Sequence, residues 1–147
     1  MRGIRYLLAA AVVLAAGCDG DTSMSPTDTT TETETTTAAS PTVSEQFTGT
    51  LPVGGFKFYS FTTSTYGLVY ATLTAVGGNY VPATVQLSLG IGQPSGTDCL
   101  ASTPVTTAPG TSPQVSGTYE PDVYCVVVAD VGNLYAPADF SVTIDYP

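Results

Sequence analysis

The sequence predicts an all-β chain: an antiparallel, jelly-roll-like β-sandwich of about eight short strands, carried behind a leader and a Thr-rich tether. Three observations predict it. From residue 45 onward apolar residues recur with period two, most cleanly where Val85, Leu87, Leu89 and Ile91 alternate with Gln86, Ser88 and Gly90. Turn-forming pairs interrupt these runs at Gly77-Gly78, Pro94-Ser95-Gly96, Pro109-Gly110, Pro121-Asp122 and Gly132-Asn133. No window beyond the leader carries the apolar stripe of an amphipathic helix.

Taken in order, Glu45 to Leu51 alternates with Phe47, Gly49 and Leu51 on one side, and Pro52-Val53-Gly54-Gly55 then turns the chain. Phe56 to Thr63 is rich in Phe and Tyr, which suit a pleated surface. Leu68 to Val76 points Val69, Ala71 and Leu73 inward. The run from Val85 to Ile91 follows. Cys99 to Thr107 is weaker strand material, and Gln114 to Tyr119 is short. Val123 to Val128 is apolar throughout, as a central strand would be. Phe140, Val142, Ile144 and Tyr146 alternate with Asp139, Ser141, Thr143 and Asp145, so the last strand has one wet face. Runs of strands with no intervening helices argue for a sandwich.

The N-terminus reads differently. Arg2 and Arg5 precede an apolar run, Tyr6 to Ala16, and then small residues. That is the layout of a secretory signal, and the run falls short of the roughly 20 residues that span a bilayer. Leu14-Ala15-Ala16-Gly17-Cys18 resembles the lipobox of bacterial lipoproteins. The family's leucine three residues before the cysteine is here Ala15, with Leu14 one place earlier. The resemblance implies cleavage after residue 17 and acylation of Cys18, and hence an exported chain, lipid-anchored to the cell envelope and facing the periplasm or the cell exterior. Two or more acyl chains hold stably where one does not. Residues 18–44 are Thr-rich and acidic, with no aromatic and no base, and cannot bury enough apolar area to offset their ordering entropy. The expected organisation is therefore signal peptide 1–17, disordered linker 18–44 and sandwich domain 45–147.

Charge excludes one function class. Beyond the leader a single base, Lys57, faces twelve acids. Nucleic-acid binding needs a basic footprint, and there is none. Membrane attachment would rest on the lipid alone. Of the three cysteines, acylation of Cys18 leaves Cys99 and Cys125 as an even pair. An oxidising compartment favours joining them in a disulfide; two buried free thiols are the alternative. With no histidine and no Cys-x-x-Cys, no zinc site is expected.

Phe47-Thr48-Gly49-Thr50-Leu51, Phe58-Tyr59-Ser60-Phe61-Thr62, Val69-Tyr70-Ala71-Thr72-Leu73-Thr74, Gly117-Thr118-Tyr119 with Tyr124-Cys125-Val126-Val127-Val128, and Phe140-Ser141-Val142-Thr143-Ile144 resemble the bacterial pre-peptidase C-terminal domain over nearly all of 45–147. The resemblance implies a β-sandwich with substrate- or matrix-binding roles. Some members hold calcium through acids near the domain start; only Glu45 lies there, so no metal site is carried over.

Catalytic chemistry finds no footing. A nucleophilic triad needs a base, usually histidine. Lys57 sits between Phe56 and Phe58 as a solvent-facing strand residue. Gly92-Gln93-Pro94-Ser95-Gly96 places its serine one residue too late for a nucleophile elbow, and Gly90-Ile91-Gly92 leads into no helix. Glu120 and Asp122, with Asp130 nearby in sequence, could offer oxygens to calcium, but acids at turns usually bond the local backbone. No catalytic residue, cofactor or metal is expected. One internal echo stands out. Val76-Gly77-Gly78-Asn79-Tyr80-Val81-Pro82-Ala83 matches Val131-Gly132-Asn133-Leu134-Tyr135-Ala136-Pro137-Ala138, and both link strands at what should be one end of the sandwich. Tyr80 and Tyr135 either form an aromatic surface for a polysaccharide or an exported protein, or each packs over its own proline to cap the core; solvent exposure discriminates. The expected function is non-enzymatic: binding, adhesion or envelope structure. The alternative is an accessory or inhibitor-like module acting with a separately encoded secreted peptidase or other hydrolase.

The anchor is tested by metabolic labelling with a palmitate analogue. The intact chain is expected to take up label and Cys18→Ser to lose it; an unlabelled intact chain would contradict the reading.

Overall fold

A computed structural model describes residues 36–147; the leader and the start of the tether lie outside them. Nine antiparallel strands form two sheets: β1 (Val43–Leu51), β2 (Phe56–Thr63), β3 (Gly67–Gly77), β4 (Leu87–Ser95), β5 (Asp98–Ala101), β6 (Val105–Thr107), β7 (Val115–Tyr119), β8 (Asp122–Asp130) and β9 (Ala138–Tyr146). One sheet runs β1-β9-β3-β7 and the other β2-β8-β4-β5, with β6 also on β4. With β5 and β6 counted together, successive strands alternate between the facing sheets except at the β4–β5 hairpin, which is the order of a jelly roll. Among the described residues there is no helix.

The expected inward positions are inward. Leu51, Val69, Ala71, Leu73, Leu87, Leu89, Val142 and Ile144 are wholly buried, each on the alternate set its strand's pattern picks out, as is Val126 in the apolar run of β8. Because the pleat has period two, one residue of slip would turn each of these sets to solvent, so burial fixes register. At one seam Phe47 stacks on Tyr59 at 4.7 Å, and the Tyr59 hydroxyl donates to the Thr48 carbonyl at 2.7 Å, closing β1 against β2.

Three features differ from the sequence expectation. First, Cys99 to Thr107 is two strands, because the chain bends at Ser102–Pro104 and Pro104 has no N–H for the ladder. Second, Gln114 does not belong to a strand; its side chain replaces one. Its Oε1 accepts the Leu73 N–H at 2.7 Å and its Nε2 donates to the Leu73 carbonyl. Third, the tether's last residues are not free through Ser44. Ala39 forms a parallel bridge with Gly67, its N–H bonding Tyr66 O and its carbonyl accepting from Leu68 N, while Thr42 N bonds Tyr146 O. Backbone pairing of this kind demands no apolar side chain, so composition does not reveal it.

Cys99 and Cys125 form a disulfide. They sit on β5 and β8, on opposite sides of β4, at Pro94 and Gly92. Two strand spacings are about 9.5 Å, yet the two Cα atoms are 5.9 Å apart. The β5 segment must therefore rise out of the sheet and fold over β4. Glycine permits this. A Cβ on Gly90 would lie 2.7 Å from Ala101 Cβ, and one on Gly92 would run into the Leu100 carbonyl. Gly90-Ile91-Gly92 is thus a close-approach motif under a disulfide-stapled strap, and Cys125 is wholly buried beneath it.

Gly92→Ala is expected to lower stability by about 1–3 kcal/mol, because backbone lies in the way. Gly77→Ala, whose Cβ would meet nothing within 4 Å, is expected to leave the melting temperature unchanged or higher. Cys99→Ala with Cys125→Ala should cost about 2–4 kcal/mol in denaturant titration. Free thiols at both positions in the protein purified under oxidising conditions would contradict the staple.

Candidate functional site

Three connections meet at one end of the sandwich: the β1–β2 turn (52–55), the β3–β4 loop (78–86) and the β8–β9 loop (131–137). The ladders put them there, since Leu51 pairs with Ala138 and Gly77 with Asp139. Asp130, the last residue of β8, binds two of them. Its Oδ2 accepts the Gly54 N–H at 2.8 Å, and its Oδ1 accepts from Gly132, Asn133 and Leu134 at 2.9, 3.1 and 3.3 Å. Its own N–H bonds the Gly55 carbonyl. Asn133 reaches the third connection, donating through Nδ2 to the Gln86 carbonyl at 2.9 Å. Desolvation pushes the Asp130 carboxyl up, but the four backbone N–H groups outweigh it and leave it below the usual aspartate value.

The core at this end is closed by Val85 and Leu134, both buried, with half-buried Val81 beside them. The tyrosines do not cap it. Tyr80 and Tyr135 are each 89% exposed. The reading in which each ring packs over its proline is therefore corrected: the aliphatic neighbours fill the space and the rings project outward. Val53, Phe56 and Val131 are exposed on the same end. The other large exposed apolar residues, Val43, Leu100 and Val123, lie elsewhere on the domain. The tip is thus a concentration of apolar surface, which isolated exposed side chains are not.

Tyr80 carries a second anomaly. Its φ is +67°, and it is the only non-glycine with positive φ among the described residues. It occupies the third position of the turn Gly78-Asn79-Tyr80-Val81, closed by Val81 N to Gly78 O at 3.4 Å. A positive φ there is met at lowest cost by Gly or Asn, and for an L-residue the left-handed region costs roughly 1–2 kcal/mol. A strained aromatic that buries almost none of its ring contributes little to the fold. Such residues concentrate at functional sites.

Beside the tip, the outer face of the β1-β9-β3 sheet holds an open groove of about 620 Å³. A β-bulge makes it. The β3–β9 register shifts between Leu73 and Ala75, so Ala75, not Thr74, stands opposite Ser141. Ala75, Gly77 and Gly78 leave the floor without bulk, and Thr48, Thr50, Asp139 and Ser141 supply polar walls. The Thr50 hydroxyl donates to Asp139 Oδ1 at 2.7 Å. Among the described residues, two buried side-chain polar atoms lack a protein partner: Ser141 Oγ, of a groove-lining residue, and Asn133 Oδ1, in the β8–β9 loop of the tip. A bulge is a backbone event with no side-chain signature beyond a break in parity at Thr74-Ala75, so sequence reasoning passed over the groove.

The remaining candidates separate. Glu120 and Asp122 precede and open β8, while Asp130 ends it, so adjacency in sequence becomes opposite ends of a nine-residue strand. Asp122 Oδ1 accepts from Val123 N. Among the described residues no cluster of three or more His, Cys, Asp or Glu offers a metal site. Ser95 pairs with Asp98 across the β4–β5 hairpin, whose turn includes Gly96 at φ +62°. Lys57 is exposed on β2 opposite Val128. Cys18, the residue expected to carry the lipid, lies outside the described residues. Comparison with known proteins adds no identity: no protein-family model matches the chain, and no curated protein matches it.

Asp130→Asn would set an NH₂ donor against backbone donors. It is expected to lower stability at pH 7 by about 1–2 kcal/mol, allowing for solvent at the rim. The folded-state value is depressed, so the carboxylate's contribution is fully present above its unfolded value near 3.9 and is lost as pH falls through the folded value. Wild type and Asp130→Asn melting curves should therefore converge as the pH is lowered below 4. A constant gap would contradict the assignment.

Proposed function

We propose that this protein is a non-enzymatic, exported lipoprotein whose sandwich domain is a binding module, with the Tyr80–Tyr135 tip as its contact surface. The observation that carries this is Tyr80: a strained backbone holding a ring out in solvent, matched by the equally exposed Tyr135 on the neighbouring loop. A rigid aromatic offers large contact area at little entropic cost, the usual property of anchor residues in recognition.

The position of the tip supports the same reading. The tether enters through Ala39 and Thr42, beside Gly67 and Tyr146. The tip lies at the other ends of β3 and β9, beyond Gly77 and Ala138. Strands of nine to eleven residues separate the two ends, a span of about 30 Å at the strand rise. A chain anchored through Cys18 would enter the domain at one end and offer the tyrosines at the other. The fold is that expected from the resemblance to the pre-peptidase C-terminal domain, but fold alone assigns no activity.

The test is capture on the immobilised full chain from two fractions, envelope polysaccharide and exported protein. Tyr80→Gly is the informative variant. It removes the ring together with the left-handed penalty, so its melting temperature should equal or exceed that of wild type. Capture should fall at least tenfold, as it should for Tyr135→Ala. Enrichment of one exported hydrolase would favour the accessory role, and a polysaccharide the adhesive or structural one. Unchanged capture by both variants would overturn the tip assignment.

A further inference from the structure

We propose that the groove on the β1-β9-β3 face and the tyrosine tip form one continuous site for an uncharged glycan chain; this rests on the tip being the contact surface. Continuity comes from the loop contact. A Cβ on Gly78 would lie 3.4 Å from the Pro137 carbonyl and 3.7 Å from Asp139 N, so the two loops touch where the groove ends. Tyr80 and Tyr135 are each two residues from that contact, and two residues reach at most about 7 Å. The backbone that carries each ring therefore lies next to the groove's end at Gly78.

The lining selects the ligand. The floor of Ala75, Gly77 and Gly78 is flat and short of side chains, which admits a ribbon-like chain and gives an apolar ligand little to grip. Exposed Thr48 brings a hydroxyl that donates and accepts, as sugar hydroxyls do. Asp139 is oriented by Thr50 through one oxygen, leaving the other able to accept from a ligand hydroxyl in a charge-assisted bond. Exposed tyrosine rings suit the C–H face of a pyranose. Charge narrows the class further. The groove holds an acid and no base, and Lys57 is the only base between residue 6 and the C-terminus. An anionic polymer would meet uncompensated repulsion.

Gly77 supplies a clean test, since its outward Cβ position meets nothing within 4 Å. Gly77→Ile fills the groove with a residue that strands favour, so the variant should melt at or above the wild-type temperature. Calorimetric titration of the full chain with linear neutral oligosaccharides of four to eight units, and with oligogalacturonate as the anionic control, should show binding of a neutral chain only. Gly77→Ile and Asp139→Asn should each weaken it at least tenfold, as should Tyr80→Gly. Loss with Tyr80→Gly but full affinity in Gly77→Ile would overturn the groove while leaving the tip. Binding of a protein through the tyrosines with no neutral glycan bound, or preference for oligogalacturonate, would overturn the ligand class. Full affinity in all three variants would overturn groove and tip together.

Discussion

The arrangement of the tip depends on one carboxylate. Asp130 accepts four backbone N–H bonds, one from the β1–β2 turn and three from the β8–β9 loop, while its own N–H returns a bond to Gly55. A turn that leaves a strand orphans several N–H groups at once, and a single ionised acceptor satisfies them more strongly than a neutral one. Holding Gly132 to Leu134 in this way seats Leu134 in the core and sends Tyr135 outward. Asn133 extends the same network to Gln86, on the loop that carries Tyr80. Two loops that lack regular structure are thereby fixed relative to one another, and the rings they bear need not be ordered at the moment of binding.

The two sheets have been put to different uses. The outer face of β2-β8-β4 is partly sealed by its own chain, where the disulfide draws the β5 segment over Gly90 and Gly92. That face cannot take a ligand at β4 without breaking a covalent staple. Among the described residues, the outer face of β1-β9-β3 carries no strap. It is lined by Thr, Ser and Asp, and the Thr74 bulge together with Gly77 opens a hollow next to the tip. Glycines thus serve opposite ends on the two faces: under the strap they admit the protein's own backbone, and in the groove they leave space unfilled.

Much of the fold was legible because a half-buried strand writes period two directly into its residues. The core positions of β3, β4 and β9 follow from that alone. What was illegible lies in the backbone. Thr74-Ala75 marks its bulge only by a break in apolar parity, Gln114 reads as a strand residue although its amide substitutes for a strand, and Ala39 and Thr42 are bound by groups every residue possesses. Gly90-Ile91-Gly92 is visible in the sequence only as a glycine pair that leads into no helix, since the meaning of a close approach depends on partners at Leu100 and Ala101. At the site, the repeated Gly-Asn-Tyr-Pro pattern singled out both tyrosines, because two loops at one end of a jelly roll had met the same requirement. Whether the rings faced in or out was decided by Val81, Val85 and Leu134, whose packing no local pattern records.

These features describe a domain that spends strain and exposed aromatic area at the end remote from its tether. The central claim is that the tip is where the partner lands. Hydrogen exchange of the full chain, followed by mass spectrometry with and without purified envelope polysaccharide, addresses it most directly. The account predicts added protection in peptides covering 76–81 and 131–139, with residues 98–107 of the strap unchanged. Protection on the strap face, or at the 39–43 entry, with the tip unaltered would contradict it.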